Sequence, residues 1–461
     1  MKKVVYASDF AKLDSNVYVG GGTDDTEVLQ KALDLALEWG SLHLIVDGAA
    51  LVSGLEVHSN TTIECLNSSC GFYLADNSDC PVLRNSNRCY KGYKTKNVTI
   101  QGGTYNHNCL HQAHDVPPDN YAPEDSFFLP DSDNNGGNEF VVAMEFVGIE
   151  NLVVRDITIR DQRTFAFVGG NFRRMYIENV FIELENEIMC GNQDGFHFWG
   201  PGQYLTVKNV GGKTEDDFMN IGPDERDGVS AITDVIIDGV YFDDAWQGIR
   251  LLSREKGLLD RVTIRNVSGT YSCFGFYINP WFINDDMGNF GTISFENINL
   301  KPIHNMLEQI SDETPPVLFS IGGNFKSLNF KNIYWNEPYD DRLLFRVGYP
   351  FYRLSEPFGK VVPKIQSMTI DGLQVIDNEN KYDGSALIKL RGNIERFTLR
   401  NAEIVGGAER DEGMTLIKLT EDSNVGRLAL ESVYAKNIKE LICTDENTPE
   451  KLVKYNVDAD E

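Results

Sequence analysis

Asn151-Leu-Val-Val-Arg-Asp-Ile-Thr-Ile, Met175-Tyr-Ile-Glu-Asn-Val-Phe-Ile, Tyr204-Leu-Thr-Val-Lys-Asn-Val and Val235-Ile-Ile-Asp-Gly-Val-Tyr-Phe are one phrase written four times. It returns as Val262-Thr-Ile-Arg-Asn-Val, Ile293-Ser-Phe-Glu-Asn-Ile, Leu328-Asn-Phe-Lys-Asn-Ile, Met368-Thr-Ile-Asp-Gly-Leu, Phe397-Thr-Leu-Arg-Asn-Ala and Leu428-Ala-Leu-Glu-Ser-Val, with a shorter forerunner at Asn97-Val-Thr-Ile. Each copy is a short alternating strand, a charged residue, a bend marked by Asn or Asp-Gly, and a further apolar residue. The alternation turns one face inward. Asn or Gly at the bend supplies the left-handed backbone that a tight corner needs. The copies recur every roughly 25 to 40 residues, the range of solenoid repeats. One strand per repeat in parallel register predicts an all-β chain, a right-handed parallel β-helix.

Upstream of the repeats the period changes. Gly20-Gly21-Gly22-Thr23-Asp24-Asp25-Thr26-Glu27 leads into Val28-Leu29-Gln30-Lys31-Ala32-Leu33-Asp34-Leu35-Ala36-Leu37, a capped amphipathic helix. Its expected place is over the open apolar end of the solenoid, because terminal repeats need a cap. The expected organisation is thus an N-terminal segment and capping helix over 1–40, then a β-helix over 41–461, forming a single domain. A solenoid can reach 461 residues in one body because its core grows in one dimension. Two stretches break the rhythm, 106–139 and 336–365, and loops this long inside a compact domain are commonly functional or disordered.

Forty-two basic against sixty-nine acidic residues leave a net charge of −27. A field of that sign repels nucleic acid and anionic membrane, so neither is an expected partner. The eight cysteines contain no CxxC and are too dispersed for a disulfide framework or a zinc site. Met1-Lys2-Lys3-Val4-Val5-Tyr6-Ala7-Ser8-Asp9 has no apolar run of the kind a signal peptide carries. The expected location is therefore cytoplasmic, or secreted if a leader has been removed.

The densest meeting of acids and glycines is Gly191-Asn192-Gln193-Asp194-Gly195-Phe196-His197-Phe198-Trp199, followed one coil later by Thr214-Glu215-Asp216-Asp217-Phe218-Met219-Asn220. Coils stack about 4.8 Å apart, so acids one coil apart at the same angle become neighbours. Asp194, Asp216 and Asp217 would then crowd one patch, where repulsion raises at least one pKa. One acid that stays protonated beside another that activates water is the equipment of glycoside hydrolysis. Corners are rich in Asp for turn reasons alone, but an Asp pair facing an earlier Asp, beside a histidine and a tryptophan, goes beyond turn chemistry.

The NxDG and xDD pair, one coil apart, resembles the polygalacturonase-like glycoside hydrolases of family 28. Arg163-Thr164-Phe165, the segment Gln247-Gly248-Ile249-Arg250-Leu251-Leu252 and Tyr277 are similar to that family's flanking coils, over roughly residues 15 to 300. The resemblance implies an inverting hydrolase. Asp216 would be the general acid, Asp194 and Asp217 would hold and deprotonate the attacking water, and Arg250 would contact substrate beyond the scissile bond. Asn192, His197, Trp199, Trp246 and Tyr277 complete the expected substrate-binding set, and no cofactor or metal is called for. Sugar rings stack on aromatics. Phe196, Phe198 and Trp281 lie on or beside the same face, the two phenylalanines more simply as core.

Two departures mark the chain. The family's Gly-His-Gly turn is missing after the aspartate pair, where Pro223-Asp224-Glu225-Arg226-Asp227-Gly228 stands instead. The family's lysine after the arginine is Leu252. In the family that cation meets a uronate carboxylate, so its loss points to a neutral or differently substituted sugar. The expected partner is a carbohydrate, with a homo-oligomer left open. Two other readings fit the same fold. One is a uronate lyase or epimerase, which needs a base beside the substrate carboxylate and calcium or another cation to neutralise it. The other is a glycan-binding stalk without catalysis.

Overall fold

The structure is a computed structural model that describes residues 3–117, 125, 138–278, 288–303, 317–336, 343–348, 362–376, 386–407, 414–444 and 447–459. Most of the loops expected at 106–139 and 336–365 lie outside the described residues, as does Trp281. The chain divides into two compact units, residues 1–236 and 237–461, and the boundary falls inside the strand Ile232–Leu251. No helix among the described residues is long and apolar enough to cross a membrane.

In the first unit, Lys3–Tyr6, Leu42–Val46, Thr61–Cys65, Thr95–Gln101, Met144–Arg160, Phe167–Glu183 and Phe196–Gly212 pair in succession, all parallel. Alternation buries Leu152, Val154, Ile157 and Ile159 on one strand and stacks them on Met175, Ile177, Val180 and Ile182 of the next. The helix Thr26–Trp39 buries Leu29, Ala32, Leu33 and Ala36 and ends at Gly40 in the left-handed conformation. Gln30 closes the strand Leu55–Val57 with its side chain: its amide donates to the Glu56 carbonyl (3.1 Å) and accepts from the Glu56 N–H (2.9 Å). One glutamine thereby satisfies the exposed edge of a strand, which would otherwise invite another chain.

The second unit repeats the pattern over Leu258–Ile278, Asn289–Pro302, Asn324–Asn336, Met368–Ile376, Ala386–Val405 and Thr415–Lys436. Its core stacks like upon like: Phe276, Phe319 and Phe345 lie 4.7 and 4.8 Å apart with ring planes 7° and 8° from parallel.

The bends behave as the sequence predicts. Asp156, Asn179, Asn209, Asn266, Asn297, Asn332 and Asn401 all have φ between 49° and 59°, and Gly239 and Gly372 share the sign. Even Ser432, which closes the last full copy, sits at φ 56°. Coil-to-coil amide bonds hold these corners: Asn297 Nδ2 donates to Asn266 Oδ1, and Asn332 Nδ2 to Asn297 Oδ1, both at 2.9 Å. The charged residue just before each bend forms a column. Through the second unit it reads Asp238, Arg265, Glu296, Lys331, Asp371, Arg400, Glu431, strictly alternating in sign. Ion pairs close at Arg265–Asp238 (2.8 Å), Lys331–Glu296 (2.9 Å) and Arg400–Asp371 (2.8 Å).

Candidate active site

The corner after Asn186 is built by Gln193, whose side chain is fully buried. Its Oε1 accepts from the Ile188 N–H (2.6 Å) and its Nε2 donates to the Gln162 carbonyl (2.8 Å). Asn192 adopts φ 54°, so this predicted binding residue is placed first as a turn-former. Asp194 follows, 3% exposed, and then Gly195, whose N–H donates to the Asp217 carbonyl at 2.9 Å. A Cβ at Gly195 would strike the Phe218 carbonyl oxygen, so the glycine of this Asp-Gly serves close approach between coils.

Beyond the corner, Phe196, His197, Phe198 and Trp199 pair with Met219, Asn220, Ile221 and Gly222. Extended backward, that register sets Asp194 beside Asp217. Asp216, the adjoining residue, is half-buried where Asp217 is 1% exposed. Oxygens of Asp194, Asp216 and Asp217 all lie within 4.8 Å of one another. One water molecule, or one hard cation that prefers oxygen donors, can touch all three at that separation. The three acids expected from the sequence are therefore brought together. Glu215, the residue preceding Asp216, turns to the backbone of the previous coil, its Oε1 accepting from the Cys190 N–H at 2.8 Å. Burial raises its pKa, against the hydrogen bonds that lower it.

His197 differs from expectation. It is 3% exposed and both ring nitrogens are engaged, Nδ1 with Asp194 Oδ2 at 3.0 Å and Nε2 with Glu225 Oε2 at 2.9 Å. It is set to brace an acid rather than to touch a sugar. Burial alone would favour the neutral ring, but Glu225 and Asp194 outweigh it and hold the pKa up at about 9. Trp199 is also not the exposed sugar platform that was expected. At 5% exposure it packs with Val142, Phe165 and Val168, and its indole N–H donates to Glu225 Oε2 at 3.2 Å. The Arg226 guanidinium covers the Trp199 ring at 4.7 Å and binds Glu139 at 3.0 Å. Phe196 and Phe198 are fully buried core.

Glu225 is the residue that the sequence reading passed over. It lies in the turn 223–230, outside the repeated phrase, and the usable signal was its position just after the strand aligned with His197 and Trp199. Within the stretch 106–139, His107 is buried. Its Nε2 donates to the Cys80 carbonyl at 3.2 Å, and Nδ1 accepts from the Arg163 N–H at 2.9 Å. Burial drives its pKa down to about 3, so the ring is neutral and structural.

The remaining predicted binding residues lie in the second unit, where the structure gathers them. Arg250, 9% exposed, sits over the Tyr277 ring at 5.5 Å. Tyr277 is buried and stacks on Phe274 at 4.6 Å, and half-buried Trp246 packs against the same cluster. Tyr277 is thereby a support for Arg250, while Trp246 keeps part of its ring accessible.

No family model matches the chain, and no curated protein matches it by sequence. Solved structures do. A tailspike mutant of E. coli bacteriophage HK620, in complex with a pentasaccharide, is similar over 98% of this chain and 78% of its own, at TM-score 0.53 and 12% identity. A hyperthermoactive exopolygalacturonase of Thermotoga maritima is similar over 99% and 92%, at TM-score 0.47 and 12% identity. The A-module of a mannuronan C-5 epimerase of Azotobacter vinelandii is similar over 99% of both chains, at TM-score 0.48 and 11% identity. The tailspike likeness shows the fold and nothing finer. The chain is a parallel β-helix.

Proposed function

We propose that this chain is a polygalacturonase-like glycoside hydrolase that cleaves a glycosidic bond of an oligo- or polysaccharide. The observation that carries the reading is the convergence of Asp194, Asp216 and Asp217 from two adjacent coils, with oxygens inside 4.8 Å. Asp216, the more exposed member, donates its proton to the leaving glycosidic oxygen. Asp194 and Asp217, buried on the inner side, hold a water and take its proton as the oxygen attacks the anomeric carbon. The bond to the leaving oxygen breaks as that to water forms, and the configuration inverts. Inverting pairs usually stand roughly 6.5–9.5 Å apart, with the water between them. In this reading the water sits beside the cluster, held by two carboxylates at once. A tailspike of similar fold holds a bound pentasaccharide, which agrees with a carbohydrate partner.

The test is release of reducing ends from a panel of neutral and uronate oligosaccharides by wild type and D216N, with and without EDTA, while absorbance at 235 nm is followed. The expected result is release that survives EDTA, leaves 235 nm flat and falls by about 10³-fold in D216N. Absorbance that rises and is abolished by EDTA would replace the hydrolase with a cation-dependent lyase. NMR of the first-formed anomer reads inversion, and a retained configuration would recast Asp194 or Asp217 as a nucleophile.

A further inference from the structure

We infer that Glu225 is a positioning residue of this site: it holds His197 doubly protonated, and His197 in turn fixes Asp194 as a carboxylate in a single orientation. The catalytic half of this inference rests on the hydrolytic reading; the ion triad itself rests on geometry.

Each nitrogen of His197 faces a carboxylate oxygen, Asp194 Oδ2 at 3.0 Å and Glu225 Oε2 at 2.9 Å. A neutral imidazole has one donor and one acceptor nitrogen. An acceptor nitrogen against an ionised carboxylate would bring two lone pairs together, so both nitrogens carry hydrogen. Asn220 offers His197 Nε2 an amide that fits this state only when turned. Nδ2 stands 3.1 Å from His197 Nε2, donor against donor, and the buried Oδ1 has no partner among the described residues. Turned about its terminal C–C bond, the amide gives the ring a further acceptor in Oδ1.

The other contacts fix rather than charge the ring. Phe165 stacks on it at 4.3 Å with planes 25° apart, and Trp199 lies 5.1 Å away. The charged groups around it are Asp194 and Glu225 in contact, Asp217 on the adjacent coil, and Arg226 beyond the Trp199 ring. A buried imidazolium packed against Phe165 and Trp199 is costly, since a buried charge must be paired on every side. A hydrophobic residue would serve packing better, so a charged brace at this corner argues for a role in the acid cluster. The turn is shaped to permit it: a Cβ at Gly222 would fall against Glu225 Oε2.

The experiment uses the intact chain labelled with ¹⁵N-histidine, with H197N to assign the ring and the sugar found by the reducing-end screen. In wild type, both ring N–H signals should be present at pH 7.5 and the ring should remain charged past pH 8. E225Q should lower the midpoint by at least about one pH unit. It should also cut kcat at pH 8 by about 10- to 100-fold with KM changed less than about threefold, most of the loss recovering at pH 6. E225D should retain the alkaline limb. G222A, which displaces the same carboxylate without removing charge, should move both readouts in the same direction and guards against a misfolded E225Q. A wild-type ring that titrates near its ordinary value overturns the triad. A ring that behaves as expected while E225Q leaves kcat and its pH profile untouched overturns the positioning role. Expected ring behaviour with no sugar turned over by wild type brings down the hydrolytic reading, and the catalytic half with it, while leaving the triad standing.

Discussion

The corner at 186–226 and the coils from Leu258 to Lys436 belong to the same kind of parallel coil and put it to opposite uses. In the second unit, what one coil presents the next one answers: phenylalanine meets phenylalanine inside, asparagine meets asparagine at the bends, and charge meets opposite charge outside. At the corner the answer is withheld. Asp194 meets Asp217, a buried histidine packs against Phe165 and Trp199, and a carboxylate from an irregular turn reaches in to steady it. Regular stacking makes a scaffold. A site appears where stacking is interrupted, consistent with active sites built from locally unfavourable arrangements.

Three perturbations sharpen that contrast. The largest effect belongs to the answered coils: Phe319→Ala removes a buried ring packed against Phe276, Phe295, Phe330 and Phe345. It should cost about 3–5 kcal/mol in urea unfolding, as large-to-small core changes do. A loss below 1 kcal/mol would mean that the stack relaxes freely.

The next effect belongs to the corner. A His197 ring held at about 9 instead of 6.5 contributes stability on the order of 3 kcal/mol, in full below pH 6.5 and lost as pH rises through 9. His107, pushed down to about 3, has the opposite sign: its contribution is whole above 6.5 and is lost as pH falls toward 3. Thermal unfolding across pH should therefore trace a dome with its crest near the ordinary histidine value. H197N should flatten its alkaline side; an unchanged alkaline side would break the contrast.

The smallest effect concerns the surface column. Lys331→Glu places like charges against Glu296 and Asp371 and should cost no more than about 1 kcal/mol. The cost should vanish in 1 M salt, because salt screens exposed charges over about 3 Å. A loss that persists in high salt would trace to packing instead.

The fold was legible because a bend leaves a residue-level mark: Asn, Gly and even Ser432 all carry the left-handed backbone that their place in the phrase implies. The acid trio was legible because coil spacing is nearly arithmetic, and the register sets Asp194 level with Asp217. Trp199 could not be placed from sequence, since alternation sets it on the face away from Phe196 and Phe198 but does not show that Val142, Phe165 and Val168 cover that face. Glu225 was hidden for a different reason. The turn that carries it has no repeat phase, and the missing Gly-His-Gly drew the eye to what was absent at 223–228. The sign alternation of the outer column was visible in the sequence throughout and went unread.

That column behaves as a parity check on the architecture. Asp238, Arg265, Glu296, Lys331, Asp371, Arg400 and Glu431 alternate without an error, and the series then ends on Tyr455, which is uncharged and 71% exposed. Deleting or duplicating one coil anywhere inside the series would leave two neighbours of the same sign. Deleting or duplicating two would leave the code intact. Such a solenoid is lengthened or shortened most cheaply in even steps, and a strand that slips by one coil during folding meets repulsion at every rung it misreads.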